Sequence, residues 1–215
     1  LNTHTLTNPT PDLTMASLEA LRWASIHEAA WLALDRQALV EQLASRLKGR
    51  LFYARTRSIR GIPNARAERF SLVRDSMTWS EALGLLVMDT AVHAPGVSAS
   101  LFEAAQQDHA NHATEHGGVL YWAGDAWAVQ IYPPRGTSTG DDRRFIAPRE
   151  MIEGTPTALA HIHFHVAAWR NRDYAGPSPG DYDYAARFGR NCMVFTTLSR
   201  STFDVDAYEP SGVVV

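Results

Sequence analysis

Cysteine is almost missing from this 215-residue chain. Cys192 is the only one, so no intrachain disulfide can form. A reducing compartment such as the cytoplasm is the natural setting, although a disulfide-free exported protein has the same composition. Lysine is equally scarce: Lys48 stands alone and the other basic side chains are arginine. Long apolar runs are missing too. Residues 82–88 form one of the longest, far short of the ~20 residues a membrane-spanning helix needs. No membrane partner is therefore expected, and no signal peptide is visible. A formal net charge of −3 argues against both a nucleic-acid binder and an acidic tail. There is no internal repeat and no low-complexity tract.

What is present suits a folded core. Apolar residues make up 45% of the chain, an ordinary share for a globular protein. The length fits one domain with an extension, or two small domains. The chain opens on Leu1 and closes on Val213-Val214-Val215. Both ends read as cut from something longer, by a protease or by a choice of boundaries.

Residues 1–12 are polar with Pro9 and Pro11, and read as a disordered lead-in. From Leu13 to Leu34 the apolar spacing is helical. Asp35 suits the N-cap of a second helix that Gly49 ends. From Arg46 to Arg74 lie nine basic residues and one acid, Glu68. Leu51 to Tyr53 and Phe70 to Val73 read as short strands, where the sheet begins. Val97 to His112 is a helix closed by Gly117-Gly118. Val119 to Trp122 and Trp127 to Tyr132 flank Gly124-Asp125 as a hairpin. Pro133 to Asp142 is a loop. Thr157 to Val166 is a strand, Trp169 to Pro179 a loop, and Asp181 to Phe188 a short helix. Cys192 to Thr197 and Phe203 to Tyr208 make a second hairpin, and Gly212 to Val215 starts a last strand. The mixture points to an α/β fold: a mixed β-sheet flanked by helices, with a helical N-terminal extension.

The richest stretch is His161-Ile162-His163-Phe164-His165, followed by Ser178-Pro179-Gly180-Asp181. Strand side chains alternate, so the three imidazoles share one face. Same-face neighbours are roughly 6.6 Å apart, so His161 and His165, about 13 Å apart, cannot bind one ion together. The ligand pair is His161 with His163, or His163 with His165. The second pair lies nearer the loop carrying Asp181, and is favoured. His161 then packs in the core or supports the ligands. Two His and one Asp with a fourth position for water make a hydrolytic zinc site. That reading requires Asp181 to lie beside His163. The bland alternative is a turn with an Asp cap and a histidine-rich strand.

His-x-His, then Ser-x-x-Asp, with a Glu upstream, resembles the JAMM motif of the JAB/MPN metallopeptidases, a family with many bacterial members. Glu115-His116-Gly117-Gly118 fits the upstream Glu, between a helix and the first hairpin. The resemblance covers about residues 97–212. Val166 stands where members usually carry Pro, and the loop that follows is longer than theirs. The resemblance implies cytidine-deaminase-like layering of helices on a mixed sheet, with residues 1–90 an Arg-rich helical region and 91–215 the metallopeptidase domain. It implies Zn2+ held by His163, His165 and Asp181, with Glu115 as general base and Ser178 as oxyanion donor. The expected activity is hydrolysis of a peptide or isopeptide bond in a protein or peptide substrate. Trp169, Tyr174 and Tyr182 flank the expected cleft and are candidates for substrate subsites.

Two rival functions remain open. One is a scaffold or binding module with the same fold and no turnover. The other is a bacterial toxin or effector peptidase released from a larger chain, which would be secreted. His109, His112, Glu115 and His116 form a rival cluster at helical spacing. It lacks the arrangement of a zincin helix, and reads better as a polar helix end. The stretch from Arg46 to Arg74 is a solvated face or a docking surface for an acidic protein partner. No nucleic-acid motif accompanies it, so nucleic acid is not the expected partner.

Overall fold

The computed structural model describes residues 13–53, 70–112, 114–132 and 145–215. The lead-in, the loop after the first hairpin and most of the Arg-rich stretch lie outside the described residues.

The described chain is an α/β fold built on one open five-stranded mixed sheet with helices against it. The strands are β1 (Gly117–Trp122), β2 (Trp127–Tyr132), β3 (Ala160–His165), β4 (Cys192–Ser199) and β5 (Thr202–Tyr208). Their order is β2-β1-β3-β4-β5. β3 and β4 run parallel, and every other pairing is antiparallel. The C-terminal residues extend the sheet at one edge: the Val215 N–H donates to the Ala207 carbonyl at 2.8 Å and the reverse bond is 2.7 Å.

Strand alternation divides the chemistry between two faces. Ala160, Ile162 and Phe164 of β3, with Met193 and Phe195 of β4 and Leu120 of β1, join one apolar cluster. That cluster also takes in α1 (Leu18–His27), α2 (Arg36–Leu47), α4 (Trp79–Val92) and α5 (Val97–Ala110). The N-terminal helices thus share their core with the sheet. The other face carries the three histidines. Over it sit α6 (Arg149–Gly154), which packs Met151 on Val119, and α7 (Pro179–Phe188), which packs Ala185 on Cys192 and Val194. β3 lies between these two covers.

Asp35 caps α2, its carboxylate accepting the Ala38 N–H at 2.8 Å. Two strand expectations are corrected. Residues 51–53 form no strand, and Leu51 and Phe52 are exposed and outside the described sheet. Phe70–Val73 is a helical turn, α3, closed by the Arg74 N–H on the Phe70 carbonyl at 2.9 Å. The sheet begins at Gly117, and Gly117-Gly118 open β1 rather than close α5, which ends at Ala110.

Between Arg74 and Val97 the sequence offers only an apolar run, and the structure builds α4 there. A capping box starts it: the Thr78 N–H donates to the Glu81 carboxylate at 2.6 Å, and the Thr78 hydroxyl accepts the Glu81 N–H at 3.2 Å. Residues 79–88 are all buried, so α4 is an inner helix with no polar face to reveal it. No described helix is by itself long and apolar enough to cross a membrane.

Candidate metal centre

β3 ends on the site. Its parallel partner β4 is joined to it through the 166–178 loop and α7, so the carboxyl end of β3 and the amino end of α7 converge. Pro179 occupies the first turn of α7, where its missing N–H costs nothing, and Gly189 closes the helix at φ +58°. Ser178 is the N-cap, and its N–H donates to Asp181 Oδ2 at 2.6 Å.

The structure brings His163 and His165 together. Their Nε2 atoms are 3.3 Å apart and their ring centroids 5.0 Å. Asp181 Oδ1 lies 3.4 Å from His163 Nε2, and Oδ2 lies 4.0 Å from His165 Nε2. Glu115 arrives from the segment ahead of β1. Its carboxylate and the two imidazoles offer ligand atoms all within 4.8 Å of one another. All three residues are buried. Among the described residues this is the one group of His, Cys, Asp and Glu with metal-ligand spacing.

Neighbours fix the rings. His165 Nδ1 is 3.0 Å from the Tyr174 carbonyl, which can only accept, so Nδ1 carries the proton. In the neutral ring Nε2 then presents its lone pair to the cluster. Phe145 stacks on His163, centroids 6.1 Å apart and planes 7° apart. Gly117, directly across from His163 in the sheet, makes room for that ring, since a Cβ there would overlap it. Gly118 has a backbone reason: its Cβ would run into the Gln130 carbonyl on β2.

Charge at the site is settled locally. Burial would push the Asp181 carboxyl up. The charge of His163, its hydrogen bond, the charge of His165 and the Ser178 N–H outweigh burial and hold it below the usual carboxylate range. Asp181 is therefore an anion. His161 is turned away, its Nδ1 2.7 Å from the Tyr184 hydroxyl. Burial, with the nearby Arg190 charge, lowers its pKa to about 4, so that ring is neutral.

The remaining residues singled out by sequence fall as follows. The Trp169 ring packs on His109 at 4.2 Å, with Arg200 over it. Tyr174 contributes its carbonyl to His165. Tyr182 packs on Tyr208, which lies edge-on to His163 at 6.5 Å. The rival helical cluster is split: His109 Nδ1 bonds the Val166 carbonyl at 2.8 Å, Asn111 meets His116 at 3.1 Å, and Glu115 goes to the β3 histidines. At the described end of the basic stretch, Arg46 and Arg50 pair with Asp89 at 3.2 and 2.7 Å. Tyr184 and Phe145 escaped the sequence reading, since only the folded chain brings them to β3.

The donor set fits a small divalent ion. Zinc–nitrogen bonds of about 2.0–2.1 Å at a tetrahedral angle put two ligating nitrogens about 3.3–3.4 Å apart. The 3.3 Å between His163 and His165 and the 3.4 Å from His163 to Asp181 match that edge. No family model, curated protein or solved structure matches the chain.

Proposed function

We propose that this chain is a zinc-dependent hydrolase of peptide or isopeptide bonds, with a JAB/MPN-like arrangement of its site. The observation that supports it most is the cluster of Glu115, His163 and His165 ligand atoms within 4.8 Å of one another, with Asp181 oxygens 3.4 Å from His163 Nε2 and 4.0 Å from His165 Nε2. His163, His165 and Asp181 would hold the ion. When bound, zinc supplies Lewis acidity that brings the pKa of water to about 7.

The chain's own residues have the remaining tasks. The Tyr174 carbonyl keeps His165 in the tautomer whose Nε2 carries no proton. Asp181 stays anionic and balances the charge of the site. Glu115 takes a proton from the attacking water and returns it to the leaving amine. Ser178, at the positive end of α7, donates its hydroxyl to the developing oxyanion, a contribution of about 3 kcal/mol.

The test is metal content and peptidase activity of the wild type and of Glu115→Gln. The reading expects zinc in both proteins and cleavage only in the first. A metal-free wild type, or activity untouched by the substitution, would refute it. The burial of Glu115, His163 and His165 favours one second reading, a metal-holding scaffold or binding module. Zinc binding with no cleavage across a broad peptide library would decide for that reading.

A further inference from the structure

The loop between β3 and α7 carries a short 3-10 turn, Arg172–Tyr174, and Asn171 stands at its start. Asparagine at such a position ordinarily accepts a local N–H with its side chain. Asn171 makes no side-chain cap. Its Nδ2–H donates instead to the backbone carbonyl of His165, at 3.1 Å. Its own carbonyl accepts the Tyr174 N–H at 2.8 Å, and the Tyr174 carbonyl accepts from His165 Nδ1 at 3.0 Å. Hydrogen bonds thus run from the main chain of His165 through Asn171 and Tyr174 back to the His165 ring.

The circuit is anchored on β4. The Asn171 N–H donates to the Thr197 carbonyl at 2.8 Å. The Thr197 hydroxyl donates to the Ala168 carbonyl at 2.7 Å and lies 3.4 Å from the His165 carbonyl. Asn171 and Thr197 are both buried. A carbonyl on a loose loop selects a histidine tautomer only weakly, because ordering irregular backbone costs conformational entropy. A metal ligand also has to point within about 10–20° of its working direction. Bonds made through Asn171 supply that order before any ion arrives. The length of this loop, which departs from the JAB/MPN pattern, thereby has a use.

We propose that Asn171 is a positioning residue of the metal centre: by tying the Arg172–Tyr174 turn to the main chain of β3, it fixes the tautomer and the direction of the His165 ring. Asn171 touches neither ion nor substrate and acts through Tyr174. The role rests on the metal reading of His163 and His165, and deepens it by naming what sets the affinity of that site. Asn171→Asp keeps the shape and replaces the donor with an acceptor facing the His165 carbonyl, so the circuit breaks at that bond. Asn171→Ala removes the amide without burying a charge.

Its test reads the ring and the metal separately, on the full chain. Metal-free protein with isotope-labelled histidine is measured by long-range proton–nitrogen correlation NMR at about pH 8, where an ordinary histidine is neutral. The His165 signals, assigned by their loss in His165→Gln, are expected to show one tautomer in the wild type, protonated at Nδ1. In Asn171→Asp they are expected to show both tautomers in exchange. Zinc affinity, from competition with a chelator, is expected to fall about tenfold or more in the same variant. Asn171→Ala is expected to move both readouts the same way, so the test stands even if the aspartate variant misfolds. Val40→Ala, in the buried face of α2, is expected to lower stability and leave both readouts as in the wild type, which separates positioning from general loosening. An ordered His165 tautomer that is lost in Asn171→Ala, in a wild type that binds no zinc, refutes the metal reading alone. An unchanged tautomer and equal zinc affinity in the wild type and both Asn171 variants overturn the positioning role alone.

Discussion

His163 and Asp181 meet at 3.4 Å although the residues between them form a long loop and the start of a helix. The contact is made because β3 delivers the imidazole at its carboxyl end and α7 begins over the same end, with Ser178 holding the carboxylate in place. Asp181 thus has two uses at once, capping a helix and closing a site.

Glu115→Gln keeps shape and hydrogen-bonding reach while removing the basicity. Hydrolysis is expected to fall by about 10²–10⁴, the usual worth of a general base. Zinc content is expected to stay the same. Steady-state rates on the best peptide found for the wild type, with metal analysis of both proteins, check the pair of outcomes.

Gly117→Ala is expected to displace Phe145, since the added methyl overlaps that ring and the ring lies on His163. The cost is expected to be about 1–3 kcal/mol, as for other overpacked sites. Urea unfolding measures it. The double change with Phe145→Ala is expected to be less than additive, because removing the ring removes the clash.

Asp204→Asn is expected to change how stability depends on pH. Burial lifts the folded carboxyl to about 7, above the ordinary unfolded value of about 3.9. A raised folded value means the folded state holds its proton longer than the unfolded state. That stabilisation is complete below about pH 4 and is lost as pH rises toward 7. Asparagine carries no proton to lose. The variant is therefore expected to gain on the wild type between pH 4 and 7 and to stay ahead at pH 8, by at most about 4 kcal/mol. Thermal unfolding at pH 4 and pH 8 gives the comparison; a gap that does not widen with pH would contradict it.

Much of this was written plainly in the chain. The alternation of His161, His163 and His165 announces a strand and puts the rings on one face, and the first hairpin follows from alternating apolar residues around Gly124-Asp125. Asp35 marks its helix because capping is a local matter. Local rules fail where packing decides. α4 is buried nearly all round, so its helical period vanishes into a continuous apolar run. Leu51 and Phe52 have strand-like composition but stand outside the described sheet. Glu115 could have joined the helical histidines before it or the β3 histidines far after it, and spacing alone does not choose. The aspartates at positions 204 and 206 show the same period of two as the histidines, and only the register of β4 with its two neighbours shows that they lie on the histidine face of the sheet.

The most direct measurement is zinc binding itself, by titration against a chelator of known affinity, for the wild type and for His163→Ala. The account predicts one zinc per chain, and at least about 100-fold weaker binding once His163 is removed. A wild type that takes up no zinc, or a His163→Ala protein that binds it as tightly, would contradict the account.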